Sequence, residues 1–140
     1  MILVDTNVVS EIMKIAPSAN VVNWLNIQKS RDLYVSTITL GEIEYGLRIL
    51  PDGKRRLQLK ERFERFVALA FAQRVQPYDE AAARAYGEVM GHRKEVGHPM
   101  SVPDGQIAAI ARSQGFRVAT RNIKDFEDCG IELIDPFATD

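Results

Sequence analysis

Three carboxylates stand where a short apolar run gives way to a polar, helix-compatible one: Asp5 after Ile2-Leu3-Val4, Glu42 after Tyr34–Thr39, and Asp104 just after Ser101. Each has a structural reading. Thr39-x-x-Glu42 and Ser101-x-x-Asp104 both match a capping box, and Asp5 is a suitable N-cap for a helix that follows a strand. Together they have a chemical reading as well. Carboxylates gathered at one sheet edge repel one another unless protons or a cation neutralise them. Cys129 is the single cysteine, so a metal here must take oxygen or histidine ligands, and His92 and His98 lack the spacing of a zinc motif. The oxygen donors of the three acids point to Mg²⁺ or Mn²⁺, ions commonly shared with substrate phosphates and suited to phosphodiester chemistry.

The elements that must bring these acids together read as alternating strands and helices. Ile2–Val4 predicts a strand running into a helix over Val8–Lys14, Pro17-Ser18 a break, and Val21–Ile27 a short amphipathic helix with Trp24 inward. Leu33–Thr39 predicts a buried strand, and the segment from Thr39 to Leu50 a helix with Glu42 in its first turn. Pro51-Asp52-Gly53 predicts a turn opening a long helix over 54–72, with Leu59, Phe63, Phe66, Val67 and Phe71 on one stripe. A brief extended piece over 75–80, a glycine-weakened helix over 81–97 and a helix from Ser101 to a stop at Gly115 follow. Val118–Thr120 predicts a strand, 121–128 a loop or short turn, and 131–136 a last extended segment. Short apolar strands separated by helices, without hairpin dipeptides, imply a largely parallel sheet covered on both faces, an α/β sandwich. The expected organisation is a single domain over 1–140, since 140 residues suit one core and no linker or repeat is visible. With 46% hydrophobic and 26% charged residues the chain should fold, and its apolar runs are too short to span a bilayer, so a cytoplasmic location is expected. A net charge of -1 gives no global basic signature for gripping nucleic acid.

Four segments occur in an order shared with a known family: the opening strand with Asp5-Thr6-Asn7, STITLGEIEYGL with Glu42, SVPDGQIAAIA with Asp104, and VATRNIKDF. On these the chain resembles the PIN domains, and more narrowly the VapC-type toxins of VapBC toxin–antitoxin pairs and their FitB-like relatives. The resemblance covers nearly the whole chain. It implies a three-layer α/β/α sandwich in which Asp5 and Asp104 are the principal metal ligands and Glu42 completes the pocket directly or through water. Thr6 or Thr120 would assist by hydrogen bonding. The chain departs from the family pattern at Asn122, where many PIN domains place aspartate, with Asp125 three residues later as a substitute. A neutral amide there would weaken a second metal ion. The implied activity is a magnesium-dependent endoribonuclease that cuts in line to leave a 3′-hydroxyl, with a tRNA loop as a plausible target, and arrests translation and growth. The implied partners are a second copy of the chain, a VapB-type antitoxin whose basic side chain reaches the acidic groove, and DNA only through that antitoxin.

Arg121, beside the proposed site, is a candidate phosphate contact, because a guanidinium fork matches phosphate geometry. The series Lys54, Arg55, Arg56, Lys60, Arg62 and Arg65 reads better as a solvated helix face paired with Glu61 and Glu64. Tyr45, Leu47, Phe63 and Phe66 read either as core or as a partner surface. Two rival functions are a phosphoacceptor signalling domain and a non-catalytic binding module of the same shape. The first requires paired acids after the opening strand and a lysine after the last, where this chain has Asp5 alone after Ile2–Val4 and Arg121 after Val118–Thr120. The second requires a dispensable acidic set.

Overall fold

In a computed structural model that describes residues 1–138, five short strands form one parallel sheet in the order β3-β2-β1-β4-β5. They are β1 (Ile2–Val4), β2 (Leu33–Ser36), β3 (Val75–Gln76), β4 (Arg117–Ala119) and β5 (Leu133–Ile134). Seven helices connect them: α1 (Thr6–Ile12), α2 (Ala19–Ile27), α3 (Thr37–Arg48), α4 (Lys54–Phe66), α5 (Glu80–Glu95), α6 (Val102–Gln114) and α7 (Ile123–Phe126). The chain therefore has the expected three-layer α/β/α sandwich.

Side-chain alternation along β1 divides the core. Ile2 and Val4 pack with Val8, Val9, Ile43, Phe63 and Phe71 on the face covered by α1 to α4. Leu3 points the other way, among Ala82, Val89, Ile107 and Ile110 of α5 and α6. All three β1 residues are at most 1% exposed, which is why the strand reads as an unbroken apolar run.

Three stretches differ from the sequence reading. The strand expected over 33–39 ends at Ser36, because the Ser36 hydroxyl accepts the Thr39 N–H and starts α3 at Thr37. Glu42 consequently lies in the second turn of α3, and the Thr39-x-x-Glu42 capping box does not form. The long helix after Gly53 changes to a wider π turn over Val67–Phe71, although its apolar stripe still faces the core. Within 121–128 a four-residue helix, α7, is present. α5 runs through Gly87 and Gly91 for 16 residues, since burial of Ala82 and Val89 against α6 outweighs their low propensity. Gly115 closes α6 as anticipated, with a left-handed φ of 71°. Leu47 and Phe63 are core, Phe66 packs partly buried against it, and Tyr45 is 68% exposed.

The strand order places β1 between β2, which follows it in the chain, and β4, which arrives much later. Connections leave in opposite directions at that point, and open parallel sheets bind ligands beyond the carboxyl ends of such strands. Asp5 and Thr120 occupy those ends.

Candidate active site

Asp5 leaves β1 and caps α1: its Oδ1 accepts the Thr6 N–H at 2.8 Å, and its backbone N–H donates to Ala119 O at 2.9 Å. Its Oδ2 accepts the Thr120 hydroxyl at 2.8 Å. The Thr120 oxygen in turn accepts the Asn7 side-chain amide at 3.3 Å and the Asn122 N–H at 3.1 Å, so its proton is committed to Asp5. This web locks the end of β4 to the start of α1.

A second web holds Glu42. The Ser36 hydroxyl donates to Thr39, and the Thr6 hydroxyl lies 2.9 Å from that of Thr39 and donates to Glu42 Oε1 at 2.7 Å. With the Ser36 proton on Thr39 and the Thr6 proton on Glu42, the shared bond must run from Thr39 to Thr6. Three aligned hydroxyls thus end on one carboxylate, an arrangement in which each bond polarises the next. Ser36 and Thr39 are fully buried while Glu42 is exposed, so buried hydroxyls fix a side chain that faces solvent. Asp104 stands in the first turn of α6, its N–H donating to Ser101 Oγ at 3.3 Å.

Asp5, Thr6, Asn7, Glu42, Asp104, Arg121 and Asn122 line one cavity of about 440 Å³, together with Ser10, Glu11 and Lys14. Thr120 sits behind it, fully buried. Asp125 does not line it: the side chain is exposed, its backbone carbonyl accepts a bond from buried Arg93 at 3.1 Å, and its charge reaches Asp104 only as a field. At the fourth acidic position the cavity is therefore faced by the amide of Asn122. Ser36, Thr39 and Lys14 were missed by the sequence reading, the first two because a buried hydroxyl behind a carboxylate has no spacing signature.

The electrostatics follow from burial and like charge. Asp5 is 4% exposed, and desolvation raises its pKa to about 6 against the pull of Thr120 and the Thr6 N–H, with Asp104 and Glu42 adding repulsion. Desolvation also raises Asp104, aided by the charges of Asp125 and Glu42 and opposed by its bond to Ser101. Among the described residues none of these three acids has an ion-pair partner. Nor, among those residues, do three acid, imidazole or thiol groups close into a ready-made metal cage. The acids line one cavity rather than meeting at a point. Such a set fits a divalent ion that takes one or two carboxylates and keeps its waters, as Mg²⁺ does, and it would relieve the repulsion.

The sequence matches the family described as PIN domain over residues 2–131. The chain belongs to the PIN-domain family. It is 42% identical to "VapC ribonuclease Y4jK" of Sinorhizobium fredii over 98% of each chain. It is 36% identical to "Toxin FitB" of Neisseria gonorrhoeae, over 98% of this chain and 99% of that one. The solved structure of FitAB bound to the IR36 DNA fragment superposes with a TM-score of 0.92 at 36% identity, covering 100% of this PIN domain and 98% of that chain.

Proposed function

We propose that this PIN domain is the ribonuclease toxin of a toxin–antitoxin pair, a metal-dependent endoribonuclease whose site is Asp5, Glu42 and Asp104. The observation that carries this reading is the shared cavity: three carboxylates, two of them raised by burial and mutual repulsion, none with an ion-pair partner among the described residues. Asp5 and Asp104 would hold Mg²⁺ or Mn²⁺, and Glu42 would do so directly or through water. When bound, the ion supplies Lewis acidity at a phosphoryl oxygen and a more acidic water. The chain's own part is positional. Thr120 and the Thr6 N–H fix both oxygens of Asp5, the Ser36–Thr39–Thr6 series fixes Glu42, and Arg121 stands ready for a phosphate. Asn122, a neutral donor, leaves this wall of the cavity less negative than an aspartate would, which favours one resident ion over two.

The substrate we assign is structured RNA such as a tRNA loop, cut to leave a 3′-hydroxyl, with growth arrest as the consequence. A VapB-type antitoxin would neutralise it by placing a basic side chain among the acids, and would carry any contact with DNA. A groove of about 560 Å³ beside α1, α2 and α4 supports such a partner: it is lined by Ile12, Leu25 and Phe66 and flanked by Ile15 and Leu69, 81% and 73% exposed. We assign the protein to the cytoplasm as a homodimer; among the described residues no helix is long and apolar enough to cross a membrane. The test is cleavage of total bacterial RNA by purified protein in Mg²⁺, in EDTA, and by Asp5→Ala in Mg²⁺. Discrete products from the wild type with metal alone are expected. Intact RNA in every lane, from folded protein free of antitoxin, would leave a non-catalytic binding module.

A further inference from the structure

The cavity that holds the acids is also lined by two cations. Lys14, just beyond α1, and Arg121, just beyond β4, line the same 440 Å³ space as Asp5, Glu42 and Asp104, with Asn7 and Ser10 among the residues between. Both cations are held in place. Lys14 Nζ donates to Glu11 Oε1 at 2.9 Å, and Glu11, 8% exposed, is itself anchored by the Ser18 N–H at 2.9 Å. The Arg121 guanidinium lies over the ring of Phe137 at 4.7 Å, and its backbone N–H donates to Asn7 Oδ1 at 3.2 Å. The charge of Arg121 also reaches Glu11. Among the described residues Glu11 thus pairs with Lys14 alone, and one acid stands beside two cations. Packing on an aromatic face restricts Arg121 while leaving its N–H groups able to donate.

A ligand that fills this cavity must offer something to both the acids and the cations. A nucleic-acid strand does, because a phosphodiester at the acids carries a further phosphate one nucleotide along the backbone. A free carboxylate or a lone phosphate satisfies only the cations. We propose that Lys14 and Arg121 form a subsite for the RNA phosphate adjacent to the one that is cut, setting the register of the strand across the acids. This rests on the ribonuclease reading and deepens it.

The test separates binding from cutting. A labelled single-stranded RNA oligonucleotide is titrated by anisotropy, in Mg²⁺ and over a range of salt, with Asp104→Asn protein so that it is not cut. The same titration follows with Lys14→Ala, Arg121→Ala, both together, and Arg84→Ala added to that background. Arg84 is 77% exposed on α5, paired with Glu80 and not part of the cavity, and serves as the control for loss of one charge. The slope of log affinity against log salt should shrink by about 0.7 for each of Lys14 and Arg121 removed, and should keep its value with Arg84→Ala. An unchanged slope in the double variant, alongside RNA cleavage by the wild type, overturns the subsite and leaves the nuclease intact. Absence of both cleavage by the wild type and RNA binding by the Asp104→Asn protein overturns both. Displacement of the RNA by inorganic phosphate as readily as by unlabelled oligonucleotide would make this a free-anion pocket and overturn the assignment to RNA.

Discussion

The outer face of α4 and the cavity beyond β1 both concentrate charge, and they handle it in opposite ways. On α4 most charges have a nearby opposite: Arg65 bonds Glu61, Lys60 bonds Glu44 and Glu64, and Arg56 bonds Asp52. The pairs are mostly exposed and add little to stability. In the cavity three like charges are collected, one of them almost fully buried; none has an ion-pair partner among the described residues, and Asp5 and Glu42 are held by neutral hydrogen bonds instead. The net charge of -1 conceals this. What matters for chemistry is where neutralisation is withheld, because a withheld counter-charge is a place for one to bind.

The contrast is broken most completely by removing a cavity carboxylate. Asp104→Ala is expected to lose RNA cleavage altogether on a sequencing gel while retaining a wild-type circular dichroism spectrum, since it deletes a candidate ligand on the surface of α6 without removing core volume. A fully active, folded Asp104→Ala protein would contradict the site.

A smaller effect sharpens it. Folded Asp5 takes up its proton near pH 6 and the unfolded chain near 3.8, so the folded state holds the extra proton between those values. Stability of the protein in EDTA should therefore fall as pH rises from about 4 to about 6, by about 3 kcal/mol, and stay lower above. Asp5→Asn removes the Asp5 titration, so urea unfolding should show a clearly smaller fall in that variant than in the wild type, the raised Asp104 supplying what remains. Next, Thr120→Val deletes the hydroxyl that donates to Asp5 and strands the Asn7 and Asn122 donors. A loss of about 1–3 kcal/mol in urea unfolding is expected, together with a weaker nuclease. The smallest effect belongs to α4: Arg65→Ala, breaking a pair whose members are 67% and 70% exposed, should change stability by less than about 0.5 kcal/mol.

Much of this was legible in the residues. The apolar strands, the Ser101 cap, the Gly115 stop and the three acids all announce themselves by type and spacing, because each depends on local chemistry. What was not legible depends on distant partners. Ser36 displaced Thr39 as the cap of α3, a choice between two adjacent hydroxyl residues that packing decides, and it moved Glu42 one turn inward. The hydroxyl series behind Glu42 joins residues 33 positions apart, and Asp125 was turned from a candidate ligand into a backbone anchor for Arg93. The place of Lys14 in the cavity likewise depends on how α1 is set against the residues that follow β4, which are distant in the chain.

The central claim is that the acids are poised for a divalent cation, and thermal unfolding of the nuclease with and without Mg²⁺ at constant ionic strength tests it most directly. Wild type should melt at a higher temperature with Mg²⁺ than in EDTA, and the Asp5→Asn/Asp104→Asn double variant should show no such shift. An equal Mg²⁺ shift in both proteins, or none in the wild type, would contradict the account.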